Sequence, residues 1–108
     1  MSAIDDSGRI ADRSTVRALG WLPGTAVAVS AAPRIVAVIA RADAAESITQ
    51  QGRLRLHHTT RAVAGIRTGD RLLLAAYLDR RLLIVYTMRL LHQLLDAHHA
   101  RPGAEFPS

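Results

Sequence analysis

The sequence predicts a small, mainly β protein with short helices, in which two tandem β-β-α-β-β units form one barrel and a C-terminal amphipathic helix follows. Three observations indicate this fold class. The length of 108 residues suits one compact domain. The first half of the chain recurs in the second half, in pieces with the length and turn residues of strands. Only the segment after the second copy has the spacing of a longer helix.

The internal duplication begins at an offset of 44 residues, where Gly8 and Arg9 align with Gly52 and Arg53. Other aligned pairs are Thr15 with Thr59, Arg17 with Arg61, Ala18 with Ala62, Gly20 with Gly65, Gly24 with Gly69, and Arg34 with Arg81. The offset grows along the chain, as small insertions in loops would cause. A copy of about 40 residues rarely buries enough apolar surface to fold alone, so the two copies are expected to share one core.

Each copy is predicted to open with a short extended piece, a turn and a second short strand. The extended pieces are residues 3–5 and 47–49, the turns are Ser7-Gly8 and Gln51-Gly52, and the second strands are residues 9–11 and 53–56. A helix of two turns or less follows, over 14–19 in the first copy and 58–64 in the second, and each ends at a glycine. The hydroxyl residues predicted to cap these helices are Ser14, Thr15, Thr59 and Thr60.

The last two strands of each copy are predicted to form hairpins. They follow turn sequences at Pro23-Gly24 and Thr68-Gly69-Asp70. The strand pairs are residues 25–31 with 34–40 and residues 71–77 with 81–87, and their connections are short enough for hairpins. We therefore expect a single pseudo-two-fold barrel over residues 1–87, with unit one at 1–42 and unit two at 46–87.

The C-terminal segment has no counterpart in the first copy. From Met88 to His99, apolar residues recur on one side at helical spacing and polar residues on the other. We expect a helix over 88–100 and a flexible tail over 101–108. The helix either seals one end of the barrel or binds another chain. The residues predicted to form that oligomer or partner interface are Leu90, Leu91, Leu94 and Leu95.

The composition excludes several classes of protein. The chain has no cysteine, which excludes a disulfide framework, a thiolate zinc site and a cysteine nucleophile. It has no glycine-rich phosphate loop, nucleophile elbow or zinc-protease helix motif, so we expect no enzyme activity, no cofactor and no metal. The apolar runs are too short to span a membrane and no signal peptide is readable, which predicts a cytoplasmic protein.

The charge pattern favours a polyanionic partner. All 14 basic residues are arginines, and with nine acidic residues they give a formal net charge of +5. The stretch from Gly52 to Thr68 contains four arginines and no acidic residue. Because duplex DNA carries about one negative charge per 1.7 Å of helix axis, such a cluster gains affinity by releasing counterions.

Three motifs of the second copy carry a family resemblance. They are Gly52-Arg53-Leu54-Arg55-Leu56, Thr60-Arg61-Ala62-Val63-Ala64-Gly65-Ile66 and Thr68-Gly69-Asp70-Arg71-Leu72. In this order they resemble the swapped-hairpin DNA-binding family of AbrB, MazE and SpoVT. The resemblance implies an AbrB-like β-barrel in which two units interleave their hairpins, fused here in tandem, and it implies binding to double-stranded DNA. It also implies that the Gly-Arg arginine and the helix arginine of each copy face DNA, namely Arg9, Arg17, Arg53 and Arg61.

The chain departs from the family pattern at several places. His57 stands where the family has a proline, and Asp12 adds a negative charge beside the DNA-facing surface of the first copy. The first copy is therefore expected to be the weaker DNA contact or to be mainly structural. His57 and His58 have no carboxylate near them in sequence to orient a metal ligand, so we interpret them as polar members of the DNA-facing loop.

We expect a prokaryotic transcriptional regulator that acts by occupying its operator. The candidate DNA-binding residues are Arg9, Arg17, Arg53, Arg55, Arg61, His57 and His58. One alternative is an antitoxin, in which the C-terminal helix binds a toxin protein while the barrel represses the operon. A second alternative, from a different class, is an assembly module that does not bind DNA.

Overall fold

The computed structural model describes residues 1–100, with side chains as far as Ala97, and within that range it has six strands and three helices. The strands are β1 (Ser2–Ala3), β2 (Ala26–Ala32), β3 (Ile35–Ala40), β4 (Glu46–Ser47), β5 (Arg71–Tyr77) and β6 (Leu82–Thr87). The helices are α1 (Ser14–Ala18), α2 (His58–Ala64) and α3 (Met88–Ala100). The flexible tail predicted for 101–108 lies outside the described residues.

The six strands form one antiparallel sheet that curls into a half-barrel, in the order β1-β5-β6-β3-β2-β4. β2 and β3 form one hairpin, and β5 and β6 form the other. The second strands of the two hairpins, β3 and β6, pair at the centre of the sheet, with Ala37 opposite Ile84. The predicted class, mainly β with short helices, is confirmed.

The edges of the sheet exchange partners between the two halves of the chain. β1 pairs with β5, and β4 pairs with β2. Two backbone hydrogen bonds repeat this symmetry, because the Gly69 N–H donates to the Ile4 carbonyl at 2.8 Å and the Gly24 N–H donates to the Ile48 carbonyl at 2.9 Å. The helices follow the same pattern, with α1 against β5 and α2 against β2 and β3. Each half therefore places its N-terminal part on the hairpin of the other half.

One hydrophobic core fills the concave side of the sheet. Successive side chains of a strand point to opposite faces, so only alternate residues enter this core. The sheet contributes Val27, Val36, Val38, Leu72, Leu83 and Val85, all 1% exposed or less. The helices and connecting segments contribute Val16, Leu19, Trp21, Ile10, Leu54 and Leu56. Burying this many apolar side chains is the main stabilising contribution to a fold of this size.

The predicted helices and hairpins are confirmed to within about two residues at each end. The second short strands, predicted at 9–11 and 53–56, are wrong in extent. These segments form only isolated bridges, between Ile4 and Ile10 and between Arg9 and Arg55. A turn precedes each segment and a helix begins soon after it. Each segment is therefore long enough for a single bridge pair but too short for a continuous strand.

The side chain that caps α1 is that of Asp12, which stands just before Arg13 at the N-terminal end of the helix, so the prediction that Ser14 and Thr15 cap this helix is wrong. The Asp12 Oδ1 accepts hydrogen bonds from the backbone N–H groups of Ser14 at 2.8 Å and Thr15 at 3.2 Å, and from the Ser14 hydroxyl at 2.9 Å. Partial burial acts to raise the pKa of Asp12, but the hydrogen bonds from Thr15 and Ser14 outweigh it and hold that pKa below its usual value. α2 begins after His57 without a side-chain cap.

We expect Asp12→Ala to lower the free energy of unfolding by about 1 kcal/mol at pH 7, the usual cost of losing an N-terminal cap. Because the folded-state pKa lies below the ordinary value of 3.8, this stabilisation is present above about pH 4 and is lost as the pH falls through the folded-state pKa. Urea unfolding at pH 7 and at about pH 3 measures both effects. Asp6→Ala, which removes an exposed carboxylate of the preceding turn, is the control. An equal loss in both variants would contradict the capping role.

Candidate nucleic-acid interface

Two connecting segments, residues 8–11 and 53–56, cross the open side of the half-barrel as an antiparallel pair. The Ile10 N–H donates to the Leu54 carbonyl at 2.9 Å, and a second bond of 2.8 Å joins the ends of the segments. Ile10 and Leu54 are buried in the core, at 0% and 1% exposure. The residues that alternate with them therefore point away from the core, on the side opposite to the β3–β6 pair.

Arg9 and Arg55 lie directly opposite each other in this crossing. The hydrogen bonds flank the two residues, so they form a non-hydrogen-bonded pair, in which Cα atoms are about 4.5 Å apart and side chains leave the same face. Arg53, two residues before Arg55, emerges on that face as well. Like charges directly opposite each other destabilise a strand pair. A bound anion relieves this repulsion, which makes the crossing a favourable place for a phosphate group.

Arg61 of α2 brings a further guanidinium to the same place. A Cβ built on Gly8 would lie 3.1 Å from the Arg61 Nε, so this side chain runs along the Ser7-Gly8 turn. The Arg55 Nε donates to the Ser7 carbonyl at 2.9 Å. We call Arg9, Arg53, Arg55 and Arg61 the cationic surface. The Nε atoms of Arg53 and Arg61 are buried and have no hydrogen-bond partner among the described residues.

Arg17 of α1 occupies the corresponding place on the other half of the chain. It lines a hollow with Arg13, Trp21 and the turn at residues 50–52. Arg61 and Arg17 each therefore lie beside the glycine turn of the opposite half, at Gly8 and at Gly52. The sequence pairs these arginines by alignment, and the structure brings each to the turn of the other copy.

Asp5 neutralises the positive charge of Arg9 in the first half of the chain, and sequence reasoning missed this role. Its Oδ2 forms an ion pair with the Arg9 Nε at 2.9 Å, and its Oδ1 accepts from the Arg9 N–H, also at 2.9 Å. The hydrogen bond from the Arg9 backbone lowers the pKa of Asp5. In the second half Thr49 takes this place and accepts from the Arg53 N–H at 3.0 Å. The signal was available, because Asp5 aligns with Thr49 at the offset of 44 residues.

We expect Asp5→Thr to strengthen binding to duplex DNA, because it gives the first half the uncharged residue found in the second half. Freeing Arg9 for a phosphate contact adds up to about 0.9 to the log–log salt slope and raises affinity about 3- to 10-fold at low salt. Fluorescence anisotropy with a labelled duplex measures both quantities. Asp43→Thr, which releases Arg41 from a similar exposed ion pair, is the matched control. An equal gain in the control would contradict a specific role for Arg9.

The two predicted histidines lie at the start of α2 and are exposed. The His57 Nε2 lies 3.0 Å from the Glu46 Oε1 of β4, so this ring is engaged with a carboxylate. His58 is the first residue of the helix, beside Thr59. His57 and Arg55 line one shallow hollow, which places His57 at the rim of the cationic surface.

The leucines predicted as a partner interface divide into two pairs on α3. Leu90 and Leu91 are half-buried, whereas Leu94 and Leu95 are each 55% exposed. The helix begins directly after β6, where the Leu90 N–H donates to the Thr87 hydroxyl at 3.2 Å. The first turn is therefore anchored to the sheet, and the second turn presents apolar side chains to solvent.

Comparison of the chain with protein-family models, with curated proteins and with solved structures gave no match. Among residues 1–100, no helix combines the length and the apolar character that crossing a membrane requires. The same part of the chain has no cluster of three or more histidine and carboxylate side chains suited to holding a metal ion. The cationic surface is thus the strongest candidate site in the described structure.

Proposed function

We propose that the chain binds double-stranded DNA through the cationic surface and regulates transcription by occupying its operator. One observation carries this proposal, namely that Arg9 and Arg55 lie opposite each other in the crossing. Of the four arginines of the cationic surface, only Arg9 is in an ion pair with a carboxylate of the described residues. Folding brings these guanidinium groups together at an electrostatic cost, which a bound phosphate backbone offsets.

We further propose that the fold is a tandem swapped-hairpin barrel of the AbrB type. The exchanged edge pairs, β1 with β5 and β4 with β2, support this proposal because each N-terminal piece joins the hairpin of the other unit. The matched hydrogen bonds of Gly24 and Gly69 support it as well. In such a barrel the pseudo-two-fold axis passes between the segments 8–11 and 53–56, which we call the arginine crossing. This symmetry suits a duplex whose two strands are related by two-fold axes.

The mechanism that follows is contact with the phosphate backbone by arginines held on a rigid crossing. The Nε atoms of Arg53 and Arg61 are buried, so little side-chain entropy is lost when the outer N–H groups of these residues meet phosphate oxygens. Arginine also forks onto the O6 and N7 atoms of guanine, which adds a means of sequence preference. Bound protein then excludes polymerase from the occupied site.

The test is a binding titration of the purified chain with random-sequence duplex at about 50 to 200 mM salt, followed by selection from genomic fragments. We expect affinity to fall steeply with salt, with a log–log slope of about 0.9 for each phosphate contact. Sequencing of the retained fragments then identifies the preferred site. No duplex binding at low salt would overturn the proposal and leave an assembly module as the function.

A second candidate function, an antitoxin, is favoured by the exposed apolar turn of α3. Leu94 and Leu95 project into solvent on a helix whose base is anchored to β6. An amphipathic helix of this kind fits a groove on a partner protein. Co-expression with the product of an adjacent reading frame distinguishes this function. A stable complex that Leu94→Gln and Leu95→Gln together abolish would favour the antitoxin.

A further inference from the structure

The convex side of the sheet, which faces away from the core, is apolar across its four long strands. Its central row runs from Ala75 on β5 through Ile84 and Ala37 to Ser30 on β2. None of these residues belongs to the core, which uses the alternate positions of the same strands. We call the outward positions of β2, β3, β5 and β6 the outer face. Arg71 stands at the first outward position of β5, where this strand pairs with β1, and the positions at which the four strands pair with one another carry no charged residue.

This apolar face is large for a monomer. Four strands spaced about 4.8 Å apart and about five residues of about 3.3 Å each give a projected area of about 320 Å². Because a surface of side chains is rougher than its projection, the accessible area is about 500 Å², at the upper end of the patches that monomers expose. Depletion of charge together with exposed aromatic and aliphatic residues is typical of the centre of an interface. Tyr77 and Ile39, at 42% and 41% exposure, are its most open large side chains.

The two outer strands of this face differ in side-chain size. β5 carries Leu73 and Tyr77, whereas β2 carries Ala28, Ser30 and Ala32. A two-fold axis that lies in the plane of the face and runs along the strands, between β3 and β6, places β5 of one copy over β2 of the other and β6 over β3. The face is therefore complementary to itself under one simple symmetry operation.

We propose that the outer face binds a second copy of this chain, with the two sheets stacked about 10 Å apart. Two copies would bury about 1,000 Å² in total, which reaches the size that a specific interface needs. The arginine crossing lies on the other side of the core from β3 and β6, so the two cationic surfaces point away from each other in this dimer. Resting on the proposed function, this arrangement lets one dimer hold two segments of duplex DNA.

Mass measurement by light scattering at about 100 μM chain, without DNA, tests the dimer. We expect the wild-type chain to be dimeric and Ile84→Arg, at the centre of the outer face, to be monomeric and folded by circular dichroism. Leu22→Arg places the same charge at a site that is 66% exposed and outside the sheet, and it is the matched control. Since no DNA is present, this result does not depend on the proposed function.

Single-cysteine variants give a readout that does not depend on a disruptive substitution, because the chain has no cysteine of its own. Ala37→Cys lies beside the proposed axis, so a short bis-maleimide reagent should link two copies in high yield, whereas Leu22→Cys should remain unlinked. A wild-type monomer at 100 μM, or a dimer that Ile84→Arg leaves intact, would overturn the proposal. The proposal would also be overturned if Leu94→Gln with Leu95→Gln abolished the dimer while Ile84→Arg retained it, because the interface would then lie on α3.

For DNA, the expected result is that Ile84→Arg still binds one short duplex with the affinity of the wild-type chain. It should lose the capture of a second, labelled duplex by protein already bound to an immobilised one. Capture that is equal in both proteins would overturn the two-segment arrangement. Failure of both proteins to bind any duplex would instead count against the proposed function, while the mass measurement would still decide the dimer.

Discussion

Replacing Arg53 and Arg61 together by alanine is expected to weaken duplex binding by about 100-fold or more at low salt. Each guanidinium forms charge-assisted hydrogen bonds worth about 1.5 to 3 kcal/mol, and about 1.4 kcal/mol corresponds to a tenfold change in affinity. Each lost phosphate contact also removes about 0.9 from the log–log salt slope, so the double variant should lose about 1.8. Fluorescence anisotropy titrations at several salt concentrations measure both numbers.

The matched control removes the same net charge elsewhere. Arg41 forms an exposed ion pair with Asp43, and Arg80 is exposed in the turn between β5 and β6. Replacing Arg41 and Arg80 together by alanine should therefore change the DNA affinity and its salt slope little. An equal effect in the control pair would mean that bulk charge, and not the cationic surface, drives binding. Because Arg53 is half-buried, its replacement by alanine could also weaken the fold. The variant Arg53→Gln, together with a thermal melt of each variant, separates the loss of a DNA contact from a loss of folding. Unchanged binding in the folded Arg53 and Arg61 variant would contradict the site assignment.

Local elements of the fold could be predicted from the sequence because local chemistry determines them. Gly65 adopts a φ of 72° and ends α2 where its glycine stop was predicted, and the connection at Pro33 and Arg34 turns β2 into β3. The exchange of β1 and β4 between the halves could not be predicted from the residues alone. Alternation specifies which side of a strand is apolar, whereas either hairpin would accept the same two-residue edge strand.

The composition of the candidate site could be predicted, but its geometry could not. The duplication selected Arg9 and Arg53 as equivalent residues, yet the structure places Arg9 opposite Arg55, because the two segments cross in antiparallel register. The neutralising effect of Asp5 depends on a turn that brings its carboxylate within 2.9 Å of Arg9. Spacing alone does not distinguish such a pair from two solvated charges.

The arginine crossing depends on how closely two backbones approach at Gly8. This glycine has a φ of 83°, and a Cβ built on it would lie 2.2 Å from the carbonyl oxygen of Leu56. That oxygen belongs to the backbone whose N–H donates to the Gly8 carbonyl at 2.8 Å, so it cannot move without separating the two segments. Gly52, the aligned glycine of the second copy, has nearly the same φ of 79° but nothing within 4 Å of the added Cβ.

We therefore expect Gly8→Ala to lower the free energy of unfolding by about 3 kcal/mol or more, and Gly52→Ala by only about 1 kcal/mol. A left-handed backbone costs an alanine about 1 to 2 kcal/mol at either position, and the clash with Leu56 adds to that cost only at Gly8. At about 4 to 8 °C per kcal/mol, the melting temperatures should fall by about 12 to 24 °C and about 4 to 8 °C, respectively. Differential scanning calorimetry measures both. Equal shifts in the two variants would mean that the segments do not meet at Gly8, and the arrangement of Arg9 opposite Arg55 would fail with that contact.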